Sequence, residues 1–292
     1  DIHFLIGGTL TNFTVIAAAL RPHQCVLCAD TGHINVHESG AVEACGHKVS
    51  AIPSPDGKLT ARQIEEAWHA HWDDETREHM PQPRMVYISQ PTELGTIYSR
   101  KELQEISGVC RRRGLYLYMD GARLGYGLCD EDNDLDLPAI ASLCDAFYIG
   151  GTKVGALFGE ALVLRHEALK EDFRYIAKQK GGRVAKGRLL GIQFLELFRD
   201  GLYFRLGAHA DRLAVMLRDF CRSRGLSLPF SSGTNQQFVT MPDSVLEELG
   251  RKYGFAYLRR EDETHSTVRF CTSWATREED VRELMADIAR LC

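Results

Sequence analysis

A chain of 292 residues with 44% hydrophobic and 26% charged residues has an ordinary globular composition, long enough for one large domain or two unequal ones. A net charge of −5, with no basic stripe interleaved with aromatics, argues against nucleic acid as a partner. No apolar run reaches the roughly 18 residues that cross a bilayer, so no membrane role is expected, and nine cysteines without a repeated spacing read as reduced thiols of a cytoplasmic protein.

The chain opens inside an apolar strand, Ile2 to Ile6, with no signal peptide ahead of it, an abrupt start that suggests a missing N-terminal segment. Gly8-Thr9-Leu10-Thr11-Asn12 then begins a helix that runs to Leu20. Free backbone N–H groups at Gly8, Thr9 and Leu10 would hold a phosphate there; the plainer reading is an N-cap by Thr9 or Thr11. Cys25 to Ala29 is a strand, and its Cys25-Val26-Leu27-Cys28 spacing, with no second pair, reads better as buried small side chains than as a metal or redox site.

His33 follows Asp30-Thr31-Gly32 at a strand-to-helix turn and heads a predicted helix to Ala44. It can stack on an aromatic ring, move a proton, or simply cap the helix. His37 and His47 are near in sequence, but the spacing makes no metal set. Val49 to Ile52 is a short strand, Arg62 to Trp72 a helix, His79 to Pro83 a proline-bearing loop, and Met85 to Ser89 a strand that leads to Glu93. Arg100 to Arg113 is a helix.

Leu115 to Met119 is a strand that ends in Asp120-Gly121-Ala122-Arg123. A surface Asp–Arg pair is worth only about 0–1 kcal/mol. The apolar neighbours make Asp120 half-buried instead, and a half-buried carboxylate needs a partner. The run Ala146 to Gly150 leads to Gly151-Thr152-Lys153, 33 residues beyond Asp120, without the spacing of a Walker A loop. If the two strands are neighbours, a carboxylate and an amine of lowered pKa face each other. Pyridoxal phosphate chemistry needs those two groups, an amine for the aldehyde and an acid for the pyridine nitrogen.

Ala161 to Leu164 is a further strand, Glu167 to Ala177 a helix, and Gly187 to Arg222 one or two long helices. This strand–helix alternation implies an α/β domain over residues 1–205, with a mostly parallel sheet flanked by helices. Ligands of such sheets bind beyond the carboxyl ends of the strands. Gly8, His33, Glu93, Asp120 and Lys153 all follow a strand. The order then changes: strands at Gln237–Met241, Phe255–Leu258 and Val268–Thr272, with helices at Asp243–Tyr253 and Arg277–Leu291, imply a small C-terminal α+β domain over residues 206–292.

Taken together, Gly8-Thr9 with Asn12, His33, Pro91-Thr92-Glu93-Leu94-Gly95-Thr96, Asp120-Gly121-Ala122-Arg123 and Lys153 resemble the low-specificity threonine aldolases. These are β-eliminating lyases of the aspartate-aminotransferase fold type, and the resemblance covers nearly the whole chain in order. It implies that Lys153 is the Schiff-base lysine, that Asp120 pairs with the pyridine nitrogen, and that His33 stacks on the ring. Gly8, Thr9 and Thr152 would hold the phosphate, and Arg123 and Arg269 the substrate carboxylate. It implies retro-aldol cleavage of an amino-acid substrate, with His33 or Glu93 as base, in a homodimer or homotetramer with shared sites. Two departures stand out. Glu93 occupies the place of a histidine that many members carry in a Thr-His-Asn segment, and the N-terminal segment that supplies a serine to the carboxylate is absent here. Rival readings are another pyridoxal phosphate reaction, such as β-elimination or racemisation, and a cofactor-free relative acting as an oligomerisation or binding module.

Overall fold

Seven strands alternate with helices through the first two-thirds of the computed structural model, which describes residues 1–292. They are β1 (Ile2–Leu5), β2 (Gln24–Ala29), β3 (Lys48–Ile52), β4 (Gln82–Ser89), β5 (Tyr116–Asp120), β6 (Ala146–Gly150) and β7 (Glu160–Leu164). They form one sheet in the order β1-β7-β6-β5-β4-β2-β3. The pairs from β3 to β6 are parallel, and β7 lies antiparallel to both β6 and β1. β2 is buried along its whole length, as expected of a strand covered on both faces.

The helices between them are α1 (Gly8–Ala19), α2 (His33–Val36), α3 (Ala41–Ala44), α4 (Ala61–Trp72), α5 (Arg100–Arg113), α6 (Leu124–Gly127), α7 (Leu137–Leu143), α8 (Glu167–Lys170) and α9 (Phe173–Gln179). The period-2 alternation of the strands divides the core. Val86, Ile88, Leu117 and Met119 meet Ile64, Leu103, Ile106 and Ile140 of α4, α5 and α7. Met85, Tyr87 and Tyr118 meet Val15 and Ile16 of α1 and Phe173 of α9. Each such apolar side chain contributes about 1.5–3 kcal/mol on burial. Capping boxes at Thr60–Gln63 and Ser99–Glu102 fix where α4 and α5 begin.

Two predicted helices are broken. His33 to Ala44 divides into α2 and α3, because Ser39 (φ 52°) and Gly40 (φ 71°) turn left-handed between them. Glu167 to Ala177 divides into α8 and α9 at Asp172 (φ 55°). Gln82 and Pro83, read as loop, belong to β4. The short helices α6 and α7 had no sequence counterpart.

Beyond them come α10 (Arg188–Phe198), α11 (Leu202–Ser223), β8 (Gln236–Pro242), α12 (Asp243–Gly250), β9 (Ala256–Arg260), β10 (His265–Cys271) and α13 (Glu278–Leu291). The last three strands make an antiparallel sheet in the order β8-β10-β9. The 22-residue α11 serves both sheets. Tyr203 and Ala210 pack on Tyr126 and Val154, while Leu213 and Leu217 pack on Val239, Met241 and Val268. One rigid helix therefore fixes the small sheet against the strand ends of the large one.

Candidate active site

The carboxyl ends of β5 and β6 are drawn together by two glycines. The Gly150 N–H donates to the Gly121 carbonyl at 2.9 Å. A Cβ on Gly121 would lie 1.8 Å from the Tyr148 carbonyl oxygen, and one on Gly150 would lie 2.2 Å from that of Ala122. Neither position has room for a side chain. The loop after β6 is further tied down by the Tyr126 hydroxyl, which donates to the Lys153 carbonyl.

Asp120 ends β5 and is 4% exposed. Its Oδ1 accepts from the Tyr148 hydroxyl (2.5 Å) and the Ala122 N–H (2.9 Å). Its Oδ2 accepts from the Tyr87 hydroxyl (2.6 Å) and Asn12 Nδ2 (2.9 Å). Burial acts to raise its pKa, but the donors from Tyr148, Tyr87, Ala122 and Asn12 outweigh it and hold the carboxyl below its usual range. The result is a buried anion at the carboxyl end of β5. The sequence reading missed three of its partners, Asn12, Tyr87 and Tyr148. The one signal for the two tyrosines is that a wholly buried phenol needs a hydrogen-bond partner, and Asn12 was legible only as part of the Gly8-Thr9 motif.

Lys153 is half-buried, and its Nζ makes no hydrogen bond or ion pair. Burial first, then Arg123, lowers its pKa, while Asp120, Glu160 and Glu93 act the other way. An amine so placed is a nucleophile at lower pH than an ordinary lysine. The neighbouring Thr152 hydroxyl donates to Glu160 Oε1 (2.8 Å) and accepts from the Gly159 N–H (2.9 Å). Burial pushes Glu160 up to about 7.

His33 opens α2 and is half-buried. Its Nδ1 lies 2.8 Å from Glu38 Oε1. Burial lowers its pKa, but the Glu38 hydrogen bond and the Asp120 charge raise it further than burial lowers it. Glu93 Oε1 accepts from the Ser89 hydroxyl (2.7 Å) and from the His33 backbone N–H (3.0 Å). Glu93 thus fastens the chain that carries the imidazole. Burial raises its own pKa, and Asp120 adds to the effect.

α1 starts without a side-chain cap: the Thr11 hydroxyl bonds back to the Gly7 carbonyl (2.9 Å) instead. The first-turn N–H groups of Gly8, Thr9 and Leu10 have no intrahelical partner. This helix start lies over β6, since a Cβ on Gly8 would meet the Tyr148 hydroxyl at 3.1 Å. The small sheet contributes Arg269, whose Nη1 donates to Gln236 Oε1 (3.1 Å) and whose Nε is buried without a partner. Beside His33, with ring centroids 5.5 Å apart, the exposed His37 is lowered by burial, by His33, and by Arg269, Lys153 and Arg123. Arg269 is tied to the loop that carries Glu93 through Gln236, whose Nε2 donates to the Thr92 carbonyl at 3.2 Å. A separate hollow of about 520 Å³, lined by β1, α9 and α10, carries Arg174, Arg183 and Arg188 but none of these groups.

The structure thus brings Gly8, Thr9, Leu10, His33, Glu93, Asp120, Arg123, Thr152, Lys153 and Arg269 to one end of the large sheet. The set consists of an unpaired amine, an uncapped helix start, a buried anion and an unpartnered guanidinium N–H. It suits a group with an aldehyde, a phosphate and a basic ring nitrogen, together with a carboxylate-bearing substrate.

Comparison with known proteins agrees with that chemistry. The beta-eliminating lyase family matches residues 2–244. The low specificity L-threonine aldolase of Pseudomonas sp. (strain NCIMB 10558) is 35% identical over 99% of this chain and 82% of its own. A solved structure of Leishmania major threonine aldolase superposes with a TM-score of 0.96 at 44% identity, covering 100% of this chain and 84% of that one. A Thermus thermophilus aspartate aminotransferase has a TM-score of 0.73 at 15% identity, over 100% of this chain and 76% of its own, a likeness of fold alone.

Proposed function

The chain belongs to the beta-eliminating lyase family, and from that premise we propose that it is a pyridoxal-phosphate-dependent aldehyde-lyase. It cleaves L-threonine, L-allo-threonine and related β-hydroxy-α-amino acids to glycine and an aldehyde. The observation that carries this reading is the unpaired, pKa-lowered amine of Lys153 beside the buried anion of Asp120.

Pyridoxal phosphate, when bound, supplies an aldehyde for an amine and a ring that takes up the electron pair of the breaking Cα–Cβ bond. Lys153 is the residue that holds it covalently. Asp120 keeps its ring nitrogen protonated. In this structure the four acceptor positions of Asp120 are taken by Tyr148, Ala122, Tyr87 and Asn12. The N–H groups of Gly8, Thr9 and Leu10 would bind the phosphate, together with the Thr152 hydroxyl.

Arg123 and Arg269 bind the substrate carboxylate, which orients the bond to be broken; well-oriented groups gain several kcal/mol over random encounter. His33 would stack on the cofactor ring. His33, or a water that it and Glu93 hold, takes the hydroxyl proton, a contribution of about 10²–10⁴-fold. Exposed Leu189, Ile192 and Leu195 on α10, with Leu157 and Phe158, whose backbone Gln193 of α10 holds at 2.7 and 3.1 Å, support a homodimer or homotetramer with shared sites. The nine free thiols support a cytoplasmic location.

The test is a visible spectrum of the purified protein with added pyridoxal phosphate, then borohydride reduction and peptide mapping. A new visible band and a cofactor adduct on Lys153 are expected. Threonine should yield acetaldehyde, whereas an eliminating enzyme yields ammonia and a keto acid. A protein that stays colourless overturns the reading.

A further inference from the structure

We propose that Glu38 is a positioning residue that locks the His33 proton onto Nδ1, so that the His33 Nε2 lone pair is the one offered to the site. This deepens the function proposed above and rests on it for the role of His33. The side chain of Glu38 is 0% exposed. Its Oε1 lies 2.8 Å from His33 Nδ1 and 2.7 Å from Asn12 Nδ2. Its Oε2 is buried without a partner. His33 is the only cationic side chain paired with it. A buried carboxylate with one possible countercharge keeps that partner's proton between them.

The orientation of Asn12 supports the same arrangement. Asn12 Oδ1 accepts from the Tyr118 hydroxyl (2.8 Å), so its amide nitrogen must face the two carboxylates. It donates to Glu38 at 2.7 Å and to Asp120 at 2.9 Å. Glu38 Oε1 thus accepts an N–H bond from Asn12, as an ionised carboxylate does, and its pairing with His33 alone makes His33 Nδ1 the donor on the other side. The same amide links the imidazole and the floor of the site into one chain: His33, Glu38, Asn12, Asp120.

The broken helix makes this contact. In a continuous helix, position 38 would lie about 140° round the axis from position 33. Because α2 ends at Val36 and the chain turns at Ser39 and Gly40, Glu38 folds inward beneath the imidazole. The other groups that act on His33 are Asp120 on β5, Lys153 after β6, and the His37 ring alongside. Glu93 meets its backbone N–H rather than its ring.

Long-range proton–nitrogen spectra of the apo protein labelled with ¹⁵N-histidine test the proposal. The His33 signal is identified by its loss in His33→Gln. In the wild type, Nδ1 should be protonated and Nε2 an acceptor above the titration midpoint. Glu38→Gln keeps an oxygen for Nδ1–H but removes the charge. The tautomer should persist, and the proton affinity of His33 should fall about tenfold or more. Glu38→Ala should give the tautomer mixture of a free imidazole. In the loaded enzyme, the acid limb of kcat/KM for Glu38→Gln should move down in pH with the His33 midpoint. An unprotonated Nδ1 in the wild type, or a His33 titration unmoved in Glu38→Gln, overturns the proposal. Should the variants fail to fold, the wild-type tautomer alone decides. A protein that never takes up pyridoxal phosphate refutes the proposed function, while the tautomer measurement still stands by itself.

Discussion

The Gly150 N–H meets the Gly121 carbonyl at 2.9 Å, and this single hydrogen bond sets the spacing between the strand end that carries Asp120 and the loop that carries Lys153. A methyl group on Gly121 would stand 1.8 Å from the Tyr148 carbonyl oxygen, which is backbone and cannot swing aside. Gly121→Ala must therefore part β5 from β6. A loss of several kcal/mol is expected, as for other overpacked or strained core sites. Thermal melting should reveal it, and the variant should also lose cofactor uptake. A variant with wild-type melting and binding would mean that the strand ends are not so close.

Burial and Arg123 hold the Lys153 amine below the ordinary lysine range, so its reactive, uncharged form extends to lower pH. Arg123→Gln removes one of these two causes. The midpoint of cofactor capture, read as visible absorbance against pH, should move upward in that variant, and Lys153→Ala should show no capture at any pH. An unmoved midpoint in Arg123→Gln would place the guanidinium too far away to act on the amine.

Much of this site was legible because it depends on local features. Strand ends followed by glycine, aspartate or lysine can be read from runs and breaks, and the parallel order follows from alternation. What escaped depends on register. Tyr87 and Tyr148 flank Asp120 only because β4, β5 and β6 lie side by side with Ser89 level with Asp120 and Phe147 level with Met119. No periodicity signals that triple alignment. The break between α2 and α3 escaped for a different reason. Ser39 adopts a left-handed conformation that its residue type does not announce, while the apolar pattern of Ile34 and Val42 runs on across it.

Glu93 spends Oε1 on the Ser89 hydroxyl and the His33 N–H. A group so occupied chiefly holds His33 in place. Glu93→Gln retains an oxygen for those two donors and should keep kcat within about tenfold of wild type, whereas Glu93→Ala frees the start of α2 and should lose about 10²-fold or more. Steady-state kinetics on threonine separate the two. An equal loss in both variants would make Glu93 itself the proton acceptor.

Asp211, on α11, lies far from this chemistry in role but should dominate the dependence of stability on pH. Neither carboxylate oxygen has a close hydrogen-bond partner, and burial, with Asp130 adding and the Asn235 backbone opposing, pushes its pKa up to about 9. The folded chain therefore keeps a proton that the unfolded chain releases near the ordinary aspartate value. More protons bound in the folded state means that stability falls as pH rises from about 4 to about 9, at up to about 1.4 kcal/mol per pH unit. Asp211→Asn is neutral throughout and lacks this slope. Its melting temperature relative to wild type should climb between pH 5 and pH 8 by several degrees, at about 2–4 °C per kcal/mol. Other titrating groups, Glu160 among them, are common to both proteins and cancel in the difference. Parallel melting curves across that range would mean that Asp211 is charged in the folded chain and has found a partner for its charge.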